Sequence, residues 1–293
     1  MIRSIVALAA ASILSVAHAE PIDQDRWTAR KETVKLDNGM KLAVVEYGDP
    51  KGEPVILLHG FTDTSRSWTQ VLPALAEFRV VIPDQRGHGG SDAPSCCYTV
   101  VDYAHDLKLL MDEMKIDRAS IAGHSLGSMV AMEFAGTYPD RVERLVLAAS
   151  TGKAPARRGD WLVDGALSMA DPIDQDGAFI STWFSVDGTV KTPVDPTFLA
   201  HVFREGRAVP ARVWRGVIGG LIEFPVARHA SVITAPTLLL AGEKDDLFDA
   251  SHFAALRAAF PAAEAIEFKD LGHNFIWERP ETTAPPIAAF LKG

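Results

Sequence analysis

The chain has 293 residues, with 29 Lys and Arg against 38 Asp and Glu, a formal net charge of −9, 47% hydrophobic residues and 23% charged residues. That composition excludes a disordered chain, and the scattered Gly and Pro exclude collagen-like and low-complexity readings. The acidic balance, with no basic run beyond the isolated pair Arg157-Arg158, argues against a nucleic-acid binder, which needs a basic face to displace phosphate counterions.

Residues 1–19 begin Met-Ile-Arg, continue through an apolar run from Ser4 to Val16 and end in Ala17-His18-Ala19. A short positive start, an apolar middle and a small-x-small cleavage site make a secretory signal peptide. The run is too short to span a bilayer comfortably. The expectation is therefore cleavage near Ala19 and a periplasmic or secreted mature chain with no stable membrane anchor.

Val34–Leu36 and Lys41–Tyr47 alternate polar and apolar residues around Asp37-Asn38-Gly39, which predicts a hairpin. Pro54–Leu58 and Val80–Ile82 are short apolar runs expected to be buried strands. Val100–Met114 has helical spacing. Ala119–Ala122 predicts a strand, Leu126–Gly136 a helix and Leu145–Ala148 a further strand. From Ser150 to Val232 the strand–helix alternation stops, and large aromatics accumulate in what reads as several short helices. Alternation resumes with a strand at Thr237–Ala241, a helix at Ser251–Phe260, a strand at Ala265–Phe268 and a helix at Glu281–Leu291. Alternating strands and helices imply a mostly parallel sheet covered on both faces. The aromatic segment reads as an insertion over the carboxyl ends of the strands, where open α/β sheets bind ligands.

The chain's two cysteines, Cys96 and Cys97, are adjacent. Neighbouring Cα atoms lie about 3.8 Å apart, below the usual disulfide range, so the favoured expectation is two thiols in a loop; an oxidising compartment permits the vicinal bridge. No Cys and His spacing suits zinc.

Gly123-His124-Ser125-Leu126-Gly127 is a G-x-S-x-G sequence directly between an expected strand and an expected helix. That context is the one a nucleophile elbow needs, because the glycines admit neighbouring backbone and the turn lifts the Ser hydroxyl clear of the sheet. A serine hydroxyl needs a base, and the base an orienting carboxylate. His273, on a loop after the last expected strand, fits the first role. Asp245, after the strand Thr237–Ala241, fits the second, with the adjacent Asp246 as its rival.

With these residues in place the sequence resembles the α/β-hydrolase superfamily over nearly the whole mature chain. His59-Gly60-Phe61 resembles its oxyanion loop, Asp84 through Ser91 its D-x-R-G-x-G-x-S segment, and the elbow and the late Gly272-His273 its other two signatures. The resemblance is greatest to the esterase, lactonase and cofactor-free haloperoxidase-like branches. It implies an eight-stranded-type, mostly parallel sheet with helices on both faces, a core of residues 20–149 and 233–293, and a helical cap at 150–232. It also implies a catalytic Ser125, Asp245 and His273 in the family's order, with Asp245 at its G-x-x-D position. The backbone amides of Phe61 and Leu126 would form the oxyanion hole, with no metal and no cofactor.

Trp68, Met129 and insertion aromatics such as Trp161 and Trp183 are candidates to line the acyl pocket, with plain core packing the alternative at each. His59, His88 and His124 are expected to order loops through backbone hydrogen bonds, and Asp84 to tie its own loop together. The expected activity is hydrolysis of a small-molecule ester or lactone through an acyl-enzyme. The same constellation would serve perhydrolysis or carbon–carbon bond hydrolysis, and a non-catalytic binding protein is the reading from another class.

Overall fold

A computed structural model describes residues 22–222 and 224–293; the expected export signal lies outside the described residues. Eight strands, β1 (Glu32–Lys35), β2 (Lys41–Gly48), β3 (Pro54–Leu58), β4 (Arg79–Pro83), β5 (Ala119–His124), β6 (Val142–Ala148), β7 (Thr237–Gly242) and β8 (Glu264–Phe268), form one sheet in the order β1-β2-β4-β3-β5-β6-β7-β8. The first two strands are a hairpin in which Gly39 takes φ 87° and the Asn38 side chain accepts from Met40 N–H at 3.0 Å. β2 runs antiparallel to β4, and from β4 to β8 all pairings are parallel.

The interior strands bury both faces, which is why they read as continuous apolar runs rather than alternating ones. Val55 and Leu57 of β3, Val146 and Ala148 of β6, and Leu238 and Leu240 of β7 enter one core, whereas Ile56, Leu58, Leu145, Leu147 and Leu239 enter the other. Each of the Val, Leu and Ile side chains among them contributes about 1.5–3 kcal/mol when fully buried. Helices α1 (Val100–Glu113) and α2 (Leu126–Thr137) supply Leu107, Leu110, Val130 and Phe134 to the second core. A capping box between Thr99 and Asp102 starts α1.

Between β6 and β7 lie five helices, α3 (Trp161–Leu167), α4 (Ala178–Trp183), α5 (Val186–Thr189), α6 (Pro196–Arg207) and α7 (Ala211–Leu221). After β7 come α8 (Ala250–Ala259), α9 (Phe275–Glu278) and α10 (Pro280–Lys292). The expected helices and strands are all present, within a few residues at their ends. β6 starts earlier than its apolar run indicates, at Val142, which is buried in the core; the polar Glu143 and Arg144 that follow interrupt the run. The single turn α9 has no periodicity to announce it.

The expectation of two free thiols is corrected: Cys96 and Cys97 are bonded to each other across a Cα–Cα distance of 3.8 Å. Cys97 has φ 73°, and its carbonyl accepts from the Arg86 guanidinium at 2.5 Å. The fixed left-handed backbone brings the two thiols together where an extended chain would splay them.

α2 crosses close to β3. A Cβ built on Gly127 would sit 2.2 Å from the Leu58 carbonyl oxygen, and one on Gly123 would sit 2.2 Å from the Gly127 carbonyl oxygen. Both glycines are there for backbone proximity. Gly127→Ala is therefore expected to destabilise the fold by about 1–3 kcal/mol through forced displacement of packed backbone. A urea titration would show it as a lower midpoint at unchanged slope.

Candidate active site

β5 runs out at His124, and the chain turns sharply into α2. Ser125 occupies the turn with φ 51° and ψ −118°, a conformation L residues adopt at a cost. Its N–H is fixed by the Ala148 carbonyl of β6 at 2.9 Å, and its own carbonyl accepts from Ser128 N–H at 2.9 Å and the Ser128 hydroxyl at 2.6 Å. The helix thus begins immediately at the serine, directing its positive end there.

His273 follows β8 on a loop, and its Nδ1–H donates to Asp245 Oδ2 at 2.7 Å. Asp245 Oδ1 accepts from the Leu247 and Phe248 amides, both at 2.8 Å. Burial acts to raise the Asp245 pKa, but His273 and those two amides outweigh it and hold the carboxyl below its usual range. An ionised Asp245 can only accept, so Nδ1 carries the ring proton and Nε2 presents a lone pair. That Nε2 is buried and has no hydrogen-bond partner among the described residues. Asp246 instead pairs with Lys191.

The loop after β3 faces the serine. A Cβ on Gly60 would lie 3.3 Å from Ser125 Cβ and 3.1 Å from His124 Nδ1, so glycine keeps this close approach uncrowded. The Phe61 and Leu126 amides donate to no protein acceptor among the described residues. Thr62, with φ 63°, is held from two sides: its N–H donates to His88 Nε2 at 3.2 Å and its hydroxyl accepts from Trp183 Nε1–H at 2.9 Å.

The segment Asp84–Ser91 is the brace beneath. His59 Nε2 accepts from Gln85 N–H at 2.8 Å, and the Gln85 amide donates to the His59 carbonyl at 2.7 Å. Asp84 accepts from Ser65 N–H, Gly90 N–H and Lys31 Nζ at 2.8, 2.8 and 2.7 Å. Arg86 makes a two-pronged pair with Asp106, both contacts at 2.5 Å.

The three motif histidines are buried and neutral. Desolvation pushes His88 down to about 4 and His124 down to about 3, and carries His59 well below the ordinary range. His124 Nε2–H donates to the His273 carbonyl at 2.9 Å, which ties the elbow to the histidine loop.

Ser125 lies where two cavities meet. One, of about 310 Å³, is bounded by Gly60, Asp63, Ser125, Trp183 and His273. The other, of about 480 Å³, is bounded by Ser125, Leu126, Met129, Trp161 and Ile218. Phe61, Trp161, Trp183 and Leu247 line both. Met129, Trp161 and Trp183 thus lie on cavity walls. Trp68 does not: it is fully buried on the opposite core with Val71, Leu72 and Leu75. The short turn Ser65–Trp68, started by the Thr64 side chain, swings its indole beneath the sheet rather than over it.

Sequence reasoning missed three site groups. Asp63 is buried on the cavity wall beside the serine. Glu278 accepts from the Gly272 amide at 2.9 Å and from the Lys191 and Thr192 amides at 3.0 and 2.9 Å, binding the histidine loop to the segment after α5. Glu205 of α6 accepts from the fully buried Arg66 at 2.9 and 2.5 Å and from the Thr64 hydroxyl at 2.6 Å, clamping α6 to the loop after β3. Glu205 and Glu278 each meet partners more than eighty residues away, and only the adjacency of Asp63 to His59-Gly60 offered a signal.

Among the described residues, no group of three His, Cys, Asp or Glu side chains is disposed to hold a metal ion, and no helix is long and apolar enough to cross a membrane.

The sequence profile of the α/β-hydrolase fold matches residues 53–280, and the chain belongs to that family. It is 43% identical over 247 residues to an uncharacterized protein of Mycobacterium tuberculosis (strain ATCC 25618 / H37Rv), covering 76% of this chain and 70% of that one. It is 28% identical over 270 residues, 88% of this chain and 97% of the other, to a Bacillus subtilis (strain 168) protein provisionally named a 2-succinyl-6-hydroxy-2,4-cyclohexadiene-1-carboxylate synthase. The enol-lactonase from Burkholderia xenovorans LB400 superposes with a TM-score of 0.76 at 24% identity, covering 89% of this chain and all of that one. Further matches carry the names of esterases and lipases.

The Glu205 clamp yields a stability prediction. Burial acts to raise the Glu205 pKa, but Arg66, Thr64 and Lys31 together hold it below the usual value. Its contribution is therefore complete above the ordinary Glu pKa and is lost as pH falls through the lowered one. Glu205→Ala leaves Arg66 buried without its partner and is expected to cost about 3–5 kcal/mol at neutral pH. The gap between wild type and Glu205→Gln, measured by chemical denaturation from pH 7 downward, is expected to narrow as the acid limit is approached.

Proposed function

We propose that this chain is an exported serine hydrolase that cleaves a carboxylic ester or lactone through an acyl-enzyme. The observation that carries the reading is the His273–Asp245 hydrogen bond at 2.7 Å, with the Nε2 of that ring unpartnered among the described residues and with His273 and Ser125 lining one cavity. The names of relatives span several reactions, so the bond type is argued from the site.

In this reading Ser125 Oγ attacks the substrate carbonyl carbon while His273 Nε2 takes the hydroxyl proton. Asp245 stabilises the imidazolium that results. Negative charge develops on the carbonyl oxygen, and the Phe61 and Leu126 amides, which lack other acceptors, donate to it. Interactions of this kind are worth about 3–4 kcal/mol per donor in comparable sites. Collapse expels the alcohol, which leaves with the proton from His273. Water then enters, gives a proton to the same Nε2 and attacks the acyl carbon; as that second tetrahedral intermediate collapses the bond from the acyl carbon to Ser125 Oγ breaks, Oγ takes the proton back from Nε2, and the acid departs. For a lactone the leaving alcohol stays attached to the acyl group. The insertion of residues 150–232 serves as a cap whose Trp161 and Trp183 enclose an apolar substrate, since the cavities are walled largely by apolar and aromatic groups.

The test is an assay of the chain from Glu20 onward on aryl esters of rising acyl length and on lactones. Ser125→Ala is expected to lower kcat by at least about 10³-fold, and Asp245→Asn by about 10⁴-fold with KM little changed. Equal activity in Ser125→Ala would overturn the reading.

Export rests on the layout of residues 1–19. Expression of the full chain in a bacterial host is expected to give a periplasmic or secreted product whose mass begins at Glu20; an intact Met1 product kept in the cytoplasm would refute it.

A further inference from the structure

Within the hydrolase reading, whose ester specificity this inference deepens, one wall group has no part in the acyl-transfer steps. Asp63 is 8% exposed and borders the smaller cavity together with Gly60, Ser125 and His273. Its Oδ2 lies 2.8 Å from where a Cβ on Gly60 would be, which places the carboxyl against the oxyanion loop. Among the described residues no Lys or Arg forms an ion pair with it. The same cavity is walled by Phe61, Trp161 and Trp183, with Trp161 and Trp183 stacked at 6.5 Å and Phe61 6.2 Å from Trp183. Arg207 stacks on Phe184, elsewhere on the same wall, and among the described residues no guanidinium lies over the rings of Phe61, Trp161 or Trp183. Lys191, a cation on this wall, is already matched by Asp246.

A buried carboxyl without a cation beside aromatic faces without a cation is the chemistry that recognises an organic ammonium ion, through charge attraction and the negative faces of the rings. We propose that the smaller cavity is an ammonium subsite: Asp63 and the rings of Phe61, Trp161 and Trp183 select esters bearing a substituted ammonium group. Burial pushes the Asp63 pKa up to about 7, against the opposing pull of His273 and the Gly60 amide and with a push from Glu205. Near neutral pH the empty site therefore alternates between the neutral and ionised carboxyl, and an arriving cation meets little cost in fixing the ionised form. An acidic substrate finds no free cation on this wall and at least one carboxylate.

The experiment compares 2-(trimethylammonio)ethyl butyrate with its uncharged carbon isostere, 3,3-dimethylbutyl butyrate. Their shapes match, so the ratio of kcat/KM values isolates the charge. Wild type is expected to favour the cationic ester about tenfold or more. In Asp63→Asn that ratio is expected to fall at least about fivefold, whatever the absolute rates. A wild-type ratio of one or less overturns the subsite, and a ratio that Asp63→Asn leaves unchanged overturns the role of Asp63. Calorimetric titration with tetramethylammonium provides a readout that needs no turnover. Saturable heat in wild type that is lost in Asp63→Asn supports the subsite even if neither ester is cleaved, in which case only the hydrolase reading fails. No heat in wild type removes the subsite. Should Asp63→Asn not fold, as judged by circular dichroism, Asp63→Ser takes its place in both measurements.

Discussion

The constraint on which the site depends is the left-handed turn at Ser125. A residue with a side chain is held there at φ 51°, and such a conformation persists only where its surroundings over-determine it. Here the determinants are backbone contacts on all sides: the β6 carbonyl on the serine amide, the start of α2 on its carbonyl, and the close crossing of α2 over β3. That crossing also decides where the loop after β3 can run. Gly60 passes beside Ser125, where a Cβ on the glycine would lie 3.3 Å from the serine Cβ. The geometry around the serine therefore follows from how tightly two strands and one helix pack.

The loop after β3 is a second layer built on that packing. Its residues carry few regular hydrogen bonds, so its shape is set by side chains from elsewhere: two imidazoles, a tryptophan indole and the Arg66–Glu205 pair. His59 and His88 do this with a ring whose one nitrogen donates and whose other accepts, an arrangement that requires the neutral form. Burial supplies that condition by depressing their pKa values. The D-x-R-G segment supplies the outer support, with Asp84 accepting from three groups across two loops and Arg86 locked to Asp106.

Much of this was legible in the sequence because it is local. Strands β3, β5 and β7 announce themselves as apolar runs, and the elbow glycines stand beside their serine. The pairing of His273 with Asp245 rather than Asp246 was legible only through family resemblance, since adjacent residues give no distance. What was not legible is long-range. Trp68 stands among polar residues, Ser65-Arg66-Ser67 before it and Thr69-Gln70 after it, yet it is fully buried, whereas Trp161, followed by Leu162-Val163, is 51% exposed at a cavity wall. Their flanking residues point the wrong way, because the burial of Trp68 is made by the direction of a single short turn. Asp63 and Glu205 were passed over for a similar reason: a carboxylate acquires meaning from what surrounds it, and its surroundings come from segments more than a hundred residues apart. The cysteine pair failed differently, because the unusual backbone at Cys97 has no signature in composition.

The helices α3–α7 leave the sheet at Ala148 and return at Thr237, on strands that are hydrogen-bonded neighbours with Leu145 opposite Thr237. The ends of this long excursion are thus held side by side by the sheet. Closing a loop costs only slowly more as it lengthens, so its residues can be exchanged, lengthened or shortened with little effect on the register beneath. The sheet must keep its glycines and strand spacing through any such change, whereas the excursion must keep the contacts that tie it down, among them Glu205 on Arg66, Trp183 on Thr62, the Lys191 and Thr192 amides on Glu278, and the buried face of α7. Selection on substrate choice can then proceed in one part of the chain while selection on folding holds the other, and relatives with one chemistry at the serine can diverge in what they admit to it.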